Sequence, residues 1–586
     1  MEARTPSINE VLKRDTALRI PYYQRRYVWG EEYWERFAQD MESTIDSEQT
    51  YFLGSFIFSK EKGNGNKENI KKGISAKYLV VDGQQRLTTL MIYMKVLHFQ
   101  LQKNEDFSRQ YLAYGNMPIL EHNHEDIVAF NEVMGLSSPQ SLPCTNNIYK
   151  AYQYFSKYLS DAKENRGVNL QDLLNSITAS VRFMLLILDS EADDEQRIFD
   201  TINSLGVPLT TGELMKNFLY KSNDEGLKMY EETWRPVFDT DKQVDFWNKD
   251  RVKARLAKNS KNTNIEVFFH AFVRIKMWDF KDSLTSLQKV SFVKAGNVFS
   301  TCKSFVNDFG MSHVDLANEI IEYANLYRKY FNMESLNNMI PKYSCVERVA
   351  CLINATTNSA IIPYVLYVLK NVESEAERND IFSYLESYLV RRILAGSENK
   401  SYSDLFSENL IGNRINTCAA LVDYIASKEG YALAMPSDLE IKNAVANRNI
   451  KDATLLLYIY ESKLPRNASE KEVLAYNDYM SDKLMPAPKK DNLSTWVPFE
   501  DRDIEEQRKQ VAETLGNSFM LEVSGKRELK AAENKALASK LPVFVKHNPE
   551  LRTNRALENI HNIWNMDSIG KRNECLANGF CKVFSI

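Results

Sequence analysis

The chain has 586 residues, more than a single hydrophobic core usually contains, so its length predicts two to four domains. Its first residues contain no apolar core, and no stretch of about 18 uninterrupted apolar residues occurs, so we expect neither a secretory signal nor a membrane span. The 7 cysteines include no CxxC pair, which argues against structural zinc and a disulfide framework and favours a reducing cytoplasm. A net charge of −4 neither favours nor excludes nucleic acid as a partner, because local patches decide that.

The N-terminal third indicates an α+β domain, because it combines a few strands with several helices. Residues 8–29 predict a short helix followed by the extended segment LRIPYYQRRYVW. Aromatic and apolar runs predict strands at 51–59, 77–81 and 181–189, of which the first two are expected to pair. The basic stretch 60–77 is typical of a solvated hairpin loop, with a phosphate-contacting finger as the alternative.

The remaining pattern is mainly helical. A helix is predicted from Gly83 to about residue 102, and a helix, turn and second helix are predicted over 191–220. Thr210 and Glu213 have capping-box spacing at the start of that second helix. From about 225 to 470 almost every periodic segment is helical, and helices return near the end of the chain.

The stretch YLVVDGQQRLTTLM joins a buried strand to an amphipathic helix through five polar or flexible residues. A helix start aims unsatisfied N–H groups at one point and attracts anions. Gly83 lets a ligand approach the backbone, and Arg86 can grip a phosphate bidentately. Gln84 and Gln85 can donate to phosphate oxygens or orient a water, and Asp82 can accept from a ribose hydroxyl or hold Mg²⁺. The joint therefore predicts a phosphate or nucleotide site.

The alternative for this joint is structural: an Asp-Gly turn followed by solvated Gln and Arg side chains in a first helical turn. The joint is not a Walker A loop, because no GxxxxGK[ST] occurs in the chain. Residue chemistry alone leaves both interpretations open.

Three ordered blocks resemble the N-terminal domain of the GmrSD-type modification-dependent restriction systems. They are IPYYQRRYVW with YFLGSFIF, DGQQR followed by LTTL, and IFDTINSLGVPLTTGELMKNFL. That domain is related to the ParB/sulfiredoxin fold, whose phosphate loop has a GxxR core that Gly83 to Arg86 match. The resemblance implies a ParB/sulfiredoxin-like α+β fold for the first part of the chain.

In such families this domain binds and hydrolyses nucleoside triphosphates and senses modified phage DNA. The resemblance implies a nucleoside triphosphate with Mg²⁺ as cofactor, with Asp82 as the candidate metal ligand. It also implies phage or modified DNA as a partner. We expect no membrane partner, because no apolar span occurs, and a homo-oligomer or a separate effector protein is left open. The catalytic and nucleotide-binding residues implied are Asp82, Gly83, Gln84, Gln85, Arg86 and Asn203. The position after Asn203-Ser204 often holds a basic residue in the family and is Leu205 here.

The motif IPYYQRRYVW has a chemistry of its own. Tyr23 can stack on a base, Gln24 can read a base edge and Arg25 can meet the DNA backbone. The alternative is an aromatic strand packed into the core, and we expect Pro21 and Tyr27 to be structural. Relatives that sense modified DNA are thought to use this motif, so the resemblance favours Tyr23, Gln24 and Arg25 as DNA contacts.

The C-terminal part also resembles the family, through YLESYLVRRILAG, TLGNSFML and IWNMDSIGKRNECLA. In relatives this part is an HNH-type nuclease with a ββα metal site, whose histidine activates the attacking water. The corresponding segment here is SDKLMPAP, with Asp482 at the acidic position and Lys483 at the histidine position. A lysine is protonated at neutral pH and is a poor general base, so we expect the fold to be kept and the usual cleavage chemistry to be lost.

Further residues of this degenerate nuclease site leave alternatives open. Asn517 in the Gly-Asn pair is either a site residue or part of a turn, and Asn534 is the one candidate for the family's Asn-rich stretch. Lys483, Lys489 and Lys490 form a basic cluster that either contacts DNA phosphates or is simply solvated.

Three parts are therefore predicted: a nucleotide- and DNA-sensing domain (1–225), a helical domain (226–470) and a degenerate HNH-like domain (471–586). The leading hypothesis is a cytoplasmic anti-phage defence protein that senses phage or modified DNA and hydrolyses nucleoside triphosphates at the DGQQR motif. One alternative is a non-enzymatic DNA- or nucleotide-binding sensor or scaffold that acts with a partner effector. The other is a DNA endonuclease with a rearranged HNH site.

Overall fold

The structure is a computed structural model, and the residues it describes fall into two compact units, Met1–Arg235 and Pro236–Ile586. The described ranges are 2–22, 24–45, 50–60, 76–113, 117–123, 125–188, 210–220, 224–251, 263–341, 344–428, 432–466, 470–486, 502–533, 535–560 and 563–585. The predicted residues outside them are Tyr23, Asn203, Leu205, Lys489, Lys490 and Asn534. The three predicted domain boundaries stay predictions.

Six strands form one mixed sheet in the N-terminal unit. They are β1 (Glu2–Arg4), β2 (Thr16–Arg19), β3 (Tyr51–Lys60), β4 (Ala76–Asp82), β5 (Leu120–Glu121) and β6 (Val181–Leu188). Their order across the sheet is β1-β6-β3-β4-β2-β5. β3 and β4 pair antiparallel, which confirms the predicted pairing, and β6 runs parallel to β3 on its other side.

Nine helices of the described residues belong to this unit. They are α1 (Ile8–Val11), α2 (Glu31–Glu42), α3 (Gln84–Gln100), α4 (Asn104–Tyr111), α5 (Ile127–Gly135), α6 (Asn147–Glu164), α7 (Leu170–Ser180), α8 (Thr211–Leu219) and α9 (Asp224–Met229). The capping box predicted for α8 is confirmed, because the Thr210 hydroxyl accepts from the Glu213 N–H at 3.2 Å. The helix predicted before it lies outside the described residues.

Helix α3 is the centre of the N-terminal unit. Nearly every side chain from Gln84 to Phe99 is buried, and α4, α5, α6 and α7 all contact it. A helix that is buried on all sides is held in place by its surroundings rather than by one apolar stripe. The start of α3 is therefore a fixed point, and the polar joint is built on it.

The second unit is mostly helical, as predicted for 226–470 over the part of that range that is described. Its helices are α10 (Asp241–Asn248), α11 (Asn264–Lys276), α12 (Ser286–Phe292), α13 (Val298–Asn307), α14 (His313–Tyr330), α15 (Cys345–Thr356), α16 (Ile362–Asn371), α17 (Glu375–Ala395), α18 (Cys418–Ala426), α19 (Asp438–Asn447), α20 (Ala453–Lys463), α21 (Arg502–Ala512), α22 (Lys526–Ala532), α23 (Leu537–Lys546) and α24 (Met566–Val583). Short 3-10 and π-helical turns lie between several of them.

Two strands of the second unit, β7 (Tyr479–Lys483) and β8 (Ser518–Glu522), pair antiparallel. This pair confirms a mixed α/β architecture, while the ParB-like and HNH-like folds stay predictions. Of the helices in the described ranges, none has the length and apolar character that crossing a membrane requires.

Candidate functional site

The polar joint lies where β4 ends at Asp82 and α3 begins. Gly83 is the N-cap of α3 and has a φ of +98°, a left-handed conformation that glycine adopts without strain. A Cβ atom there would lie 2.2 Å from Cδ1 of Phe56, so any other residue would also collide with the sheet. Gly83 is thus required by the turn, and the first N–H groups of α3 have no side-chain cap at this N-cap.

Both glutamines of the joint hold the arginine segment, which we define as residues 24–28. The bonds are Gln84 Nε2 to Arg25 O (3.1 Å), Gln85 Nε2 to Arg26 O (3.2 Å) and Val28 N to Gln85 Oε1 (2.9 Å). Each glutamine side chain is buried, so these bonds replace water rather than compete with it. Both amides connect the arginine segment to the start of α3, and the roles predicted for them, contact with phosphate or orientation of a water, stay predictions.

Three further bonds fix the arginine segment. The Gln24 amide donates to the carbonyl of Val81 at 3.0 Å, and Asn123 Nδ2 donates to the carbonyl of Gln24 at 3.0 Å. The N–H of Tyr27 donates to Oδ2 of Asp126 at 2.5 Å. Gln24 is only 6% exposed, so reading a base edge, the role predicted for it, would require breaking its bond to β4.

Arg86 is the side chain of the joint that reaches solvent beside a carboxylate. Its Nη2 lies 3.3 Å from Oδ2 of Asp82, and both side chains are 24% exposed. The guanidinium lies over the ring of Phe56, 4.8 Å from its centroid. It also lies against Gly54, where a Cβ atom would come within 2.1 Å of Nη1. Burial lowers the pKa of Arg86 while the Asp82 charge raises it, and the group remains a cation.

Two further arginines have their backbone next to this helix start. The carbonyls of Arg25 and Arg26 are bonded to the first two residues of α3, so both residues lie next to the joint. The side chain of Arg25 is half-buried and that of Arg26 is exposed. Arg86 itself lies in the first turn of α3, whose N–H groups have no side-chain cap from Gly83.

A chain of aligned hydrogen bonds runs beneath the arginine segment. The indole N–H of Trp34 donates to Tyr27 Oη at 2.8 Å, and Tyr27 Oη lies 2.6 Å from Thr89 Oγ1. Thr89 in turn donates to the carbonyl of Gln85 at 2.8 Å. Because the Thr89 hydroxyl donates its proton to that carbonyl, Tyr27 must be the donor to Thr89. Burial raises the pKa of Tyr27. Tyr27 is structural, as the motif predicted.

A second buried chain reaches the start of α3 through His122. Its Nε2 lies 2.9 Å from Thr88 Oγ1, which donates to the carbonyl of Gln84 at 2.8 Å. The ring therefore carries its proton on Nε2, and its Nδ1 faces Asp126 Oδ2 at 3.9 Å, too far for a hydrogen bond. Burial lowers the pKa of His122 to about 3 and raises that of Asp126, so the imidazole is neutral.

In the second unit the predicted nuclease positions lie on β7. The Lys483 ammonium pairs with Glu513. Buried Lys540 donates to the carbonyl of Lys483 at 2.5 Å, and its charge opposes the rise that burial causes in the pKa of Asp482. Within the described ranges, no group of three or more His, Cys, Asp or Glu side chains could hold a metal ion.

Asn517 is fully buried and both ends of its amide are bonded. Nδ2 donates to the carbonyls of Met485 (2.7 Å) and Ala512 (2.8 Å), and Oδ1 accepts from Met485 N (2.8 Å) and Trp564 Nε1 (3.0 Å). Four bonds leave this amide little capacity for a substrate or a metal. Of the two interpretations of the Gly-Asn pair, the geometry favours the structural one.

Four residues of the candidate site gave no signal that sequence reasoning used. Gly54 interrupts an otherwise aromatic strand, which can mark a close approach of another group. Asn123 and Asp126 have the spacing of a local turn, but their bonds to the arginine segment cross 99 residues of chain. His122 is a single buried histidine, which no spacing distinguishes from an ordinary core residue.

The joint is a helix start with a glycine N-cap and an arginine in its first turn. Residues 8–220 match the family model of the GmrSD restriction endonuclease N-terminal domain. This match supports the family resemblance of the N-terminal sequence blocks, and it includes the arginine segment, β3, β4 and α3. No curated protein matches the chain. The C-terminal resemblance to an HNH nuclease stays a prediction.

Proposed function

We propose that this protein acts in anti-phage defence and that its N-terminal unit binds and hydrolyses a nucleoside triphosphate at the start of α3. The observation that carries the proposal is the Arg86 guanidinium, held over Gly54 and beside Asp82 at a helix start without a side-chain cap. A triphosphate supplies the negative charge that such a site lacks.

Each group at the joint has a role in this proposal. Arg86 and the α3 N–H groups neutralise charge that develops on the phosphates, and Arg25 and Arg26 extend the positive surface. Gln84 and Gln85 position those arginines through the backbone bonds that they make. Asn203 remains a predicted further contact.

The residues present fit the Mg²⁺ that the family resemblance implies. Asp82 offers one carboxylate that is partly exposed, and Mg²⁺ commonly takes one or two carboxylates together with phosphate oxygens. Bound there, the ion would supply charge neutralisation on the phosphates. The ion pair with Arg86 would then keep the Asp82 carboxylate turned toward the ligand.

DNA is the proposed macromolecular partner, because the matched domain is named for a restriction endonuclease. Phage or modified DNA would act as the trigger of nucleotide turnover. Arg25 is the residue of the predicted Tyr23, Gln24 and Arg25 set whose side chain is described and partly exposed. It can contact either DNA phosphates or the nucleotide.

One observation favours a second candidate function, a sensor that binds nucleotide without turnover. The amides of Gln84 and Gln85, which could orient an attacking water, are bonded to the backbone of the arginine segment. The DNA endonuclease alternative has less support, because Lys483 is paired with Glu513 and Asn517 is fully bonded.

The test is phosphate release from each of the four ribonucleoside triphosphates with Mg²⁺, with and without phage DNA, for the wild type and Arg86→Ala. Arg109→Ala is the matched control, because Arg109 is an exposed arginine that pairs with Glu105 within α4. DNA integrity is followed on a gel from the same reactions.

Turnover that Arg86→Ala abolishes and Arg109→Ala retains, with intact DNA, is the result expected. Nucleotide binding without turnover would instead favour the sensor. Cleaved DNA would restore the endonuclease interpretation and would contradict the structural role assigned to Asn517.

A further inference from the structure

A groove of about 810 Å³ lies between α2 and α6 in the N-terminal unit. Its α6 wall carries Lys150, Tyr154, Lys157 and Tyr158, which recur at helical spacing and so occupy one face of that helix. Trp34 lines the groove from α2. The volume is within the range of small-molecule and nucleotide sites.

The aromatic rings of the groove form a connected platform. Tyr154 and Tyr158 stack with ring centroids 6.0 Å apart and planes inclined by 24°. The ring centroid of Trp34 lies 5.7 Å from that of Tyr154. Trp34 itself is buried, whereas the two tyrosines are only partly buried. A partly exposed ring can stack with a further aromatic ring, and the Arg166 guanidinium already lies over Tyr158, 4.7 Å from its centroid.

Two lysines on one wall of the groove can contact an anionic occupant. Lys150 and Lys157 are exposed, and their positions on α6 are about 10 Å apart along the helix axis. Of the nearby acidic residues, Asp161 is paired with Arg166 at 3.1 Å, and exposed Glu31 and Glu35 lie close enough to Tyr154 to raise its pKa. Two lysines beside stacked tyrosines match a ligand that alternates flat bases with phosphates.

We propose that this groove binds single-stranded DNA, or a strand with an unpaired base, and that a base stacks on Tyr154 and Tyr158 while Lys150 and Lys157 contact its phosphates. A duplex hides the faces of its bases, so the groove selects unpaired nucleotides. This site is distinct from the joint at α3 and does not require nucleotide hydrolysis.

The test is the binding of a fluorescently labelled 12-nucleotide single strand and of the matching duplex, followed by fluorescence anisotropy. We expect the full-length protein to prefer the single strand. Tyr154→Ala should weaken that binding roughly tenfold or more, because one stacked base is lost. Tyr154→Phe keeps the ring and should bind like the wild type.

The phosphate contacts are tested by salt dependence. Lys157→Ala should weaken binding and lower the slope of log affinity against log salt by about 0.7, the contribution of one phosphate contact to a single strand. Lys163→Ala is the control, since Lys163 is exposed on the same helix but does not line the groove.

Gly30 allows a test that leaves the platform residues intact. A Cβ atom on Gly30 would meet no other atom within 4 Å, so a larger side chain fits at this edge of the groove. Gly30→Leu should block the single strand, whereas Gly30→Ser, a good N-cap for α2, should not.

Unchanged affinity in both Tyr154→Ala and Gly30→Leu, or a preference for the duplex, would overturn the proposal. Phosphate release by the same variants without DNA separates a failure of the groove from a failure of the nucleotide site. The hydrogen bonds that fix the joint involve neither Tyr154 nor Gly30.

Discussion

Gly54 shows how one residue without a side chain can determine where a charged group lies. Its φ is +115°, and a Cβ atom would come within 2.1 Å of Nη1 of Arg86. We expect Gly54→Ala to displace the guanidinium from Asp82 and to lower nucleotide turnover at least tenfold. The backbone strain should also cost about 1 kcal/mol of stability. Phosphate release and a thermal unfolding curve measure the two effects separately.

Gly135→Ala is the control for this change, because a Cβ atom at Gly135 meets nothing within 4 Å. It should leave turnover unchanged. If Gly54→Ala turned over nucleotide at the wild-type rate, the position of Arg86 would not matter for the reaction.

His122 makes the stability of the N-terminal unit depend on pH. Its pKa is about 3 in the fold, against 6.5 for an ordinary histidine. Below pH 6.5 the imidazole is protonated in the unfolded chain but stays neutral in the folded chain. The free energy of unfolding therefore falls as the pH falls from 6.5 toward 3, by about 1.4 kcal/mol per pH unit. His122→Gln keeps a donor for Thr88 and should flatten this dependence, measured as urea midpoints at pH 7 and pH 5.

The raised pKa of Asp126 contributes to the pH dependence of stability with the opposite sign, because the protonated form of this carboxyl is favoured in the fold. The Asp126 contribution is present in both the wild type and His122→Gln. The difference between their midpoint shifts therefore reports on His122. Parallel midpoint shifts in wild type and variant would show that another group causes the acid sensitivity.

At the scale of elements, the arginine segment is an irregular stretch that side chains of other elements hold in place. Gln85→Glu keeps an acceptor for the Val28 N–H but removes the donor to the Arg26 carbonyl and buries a charge. We expect a loss of about 1–3 kcal/mol and faster hydrogen exchange across residues 24–28. Gln39→Glu, on the exposed face of α2, should change neither.

Much of this element framework could be predicted from sequence because its causes are local. The runs that form β3, β4 and β6 are apolar and aromatic, Gly83 marks the start of α3, and Thr210 with Glu213 caps α8. The order of strands in the sheet depends on contacts between distant segments, which no local pattern contains.

The candidate site likewise has one part that local sequence predicts and another that depends on contacts between distant segments. A helix start with an arginine in its first turn could be predicted, because four adjacent residues, Gly83 to Arg86, create it. The hydrogen bonds of Gln84 and Gln85 could not be predicted. The sequence does not distinguish a glutamine that is exposed and binds phosphate from one that is buried and binds the backbone. The difference depends on residues 24–28 lying across the helix start, held by Asn123 and Asp126.

At the scale of the whole N-terminal unit, the aligned hydrogen bonds connect the aromatic groove with the joint. Trp34 lines the groove, and its indole N–H begins the chain that passes through Tyr27 and Thr89 to the carbonyl of Gln85. A base that stacks in the groove and shifts Trp34 would therefore change the first turn of α3. This is a physical route by which DNA could control nucleotide turnover.

Tyr27→Phe removes the hydroxyl at the centre of that chain and leaves the Trp34 N–H without its acceptor. We expect a loss of about 1–3 kcal/mol in stability, because the group is buried. We also expect the ratio of DNA-stimulated to unstimulated phosphate release to fall to about one, while anisotropy still reports single-strand binding. Tyr33→Phe, on an exposed side chain of α2, should keep the wild-type ratio. A Tyr27→Phe protein that DNA stimulates as strongly as the wild type would show that the signal takes another route.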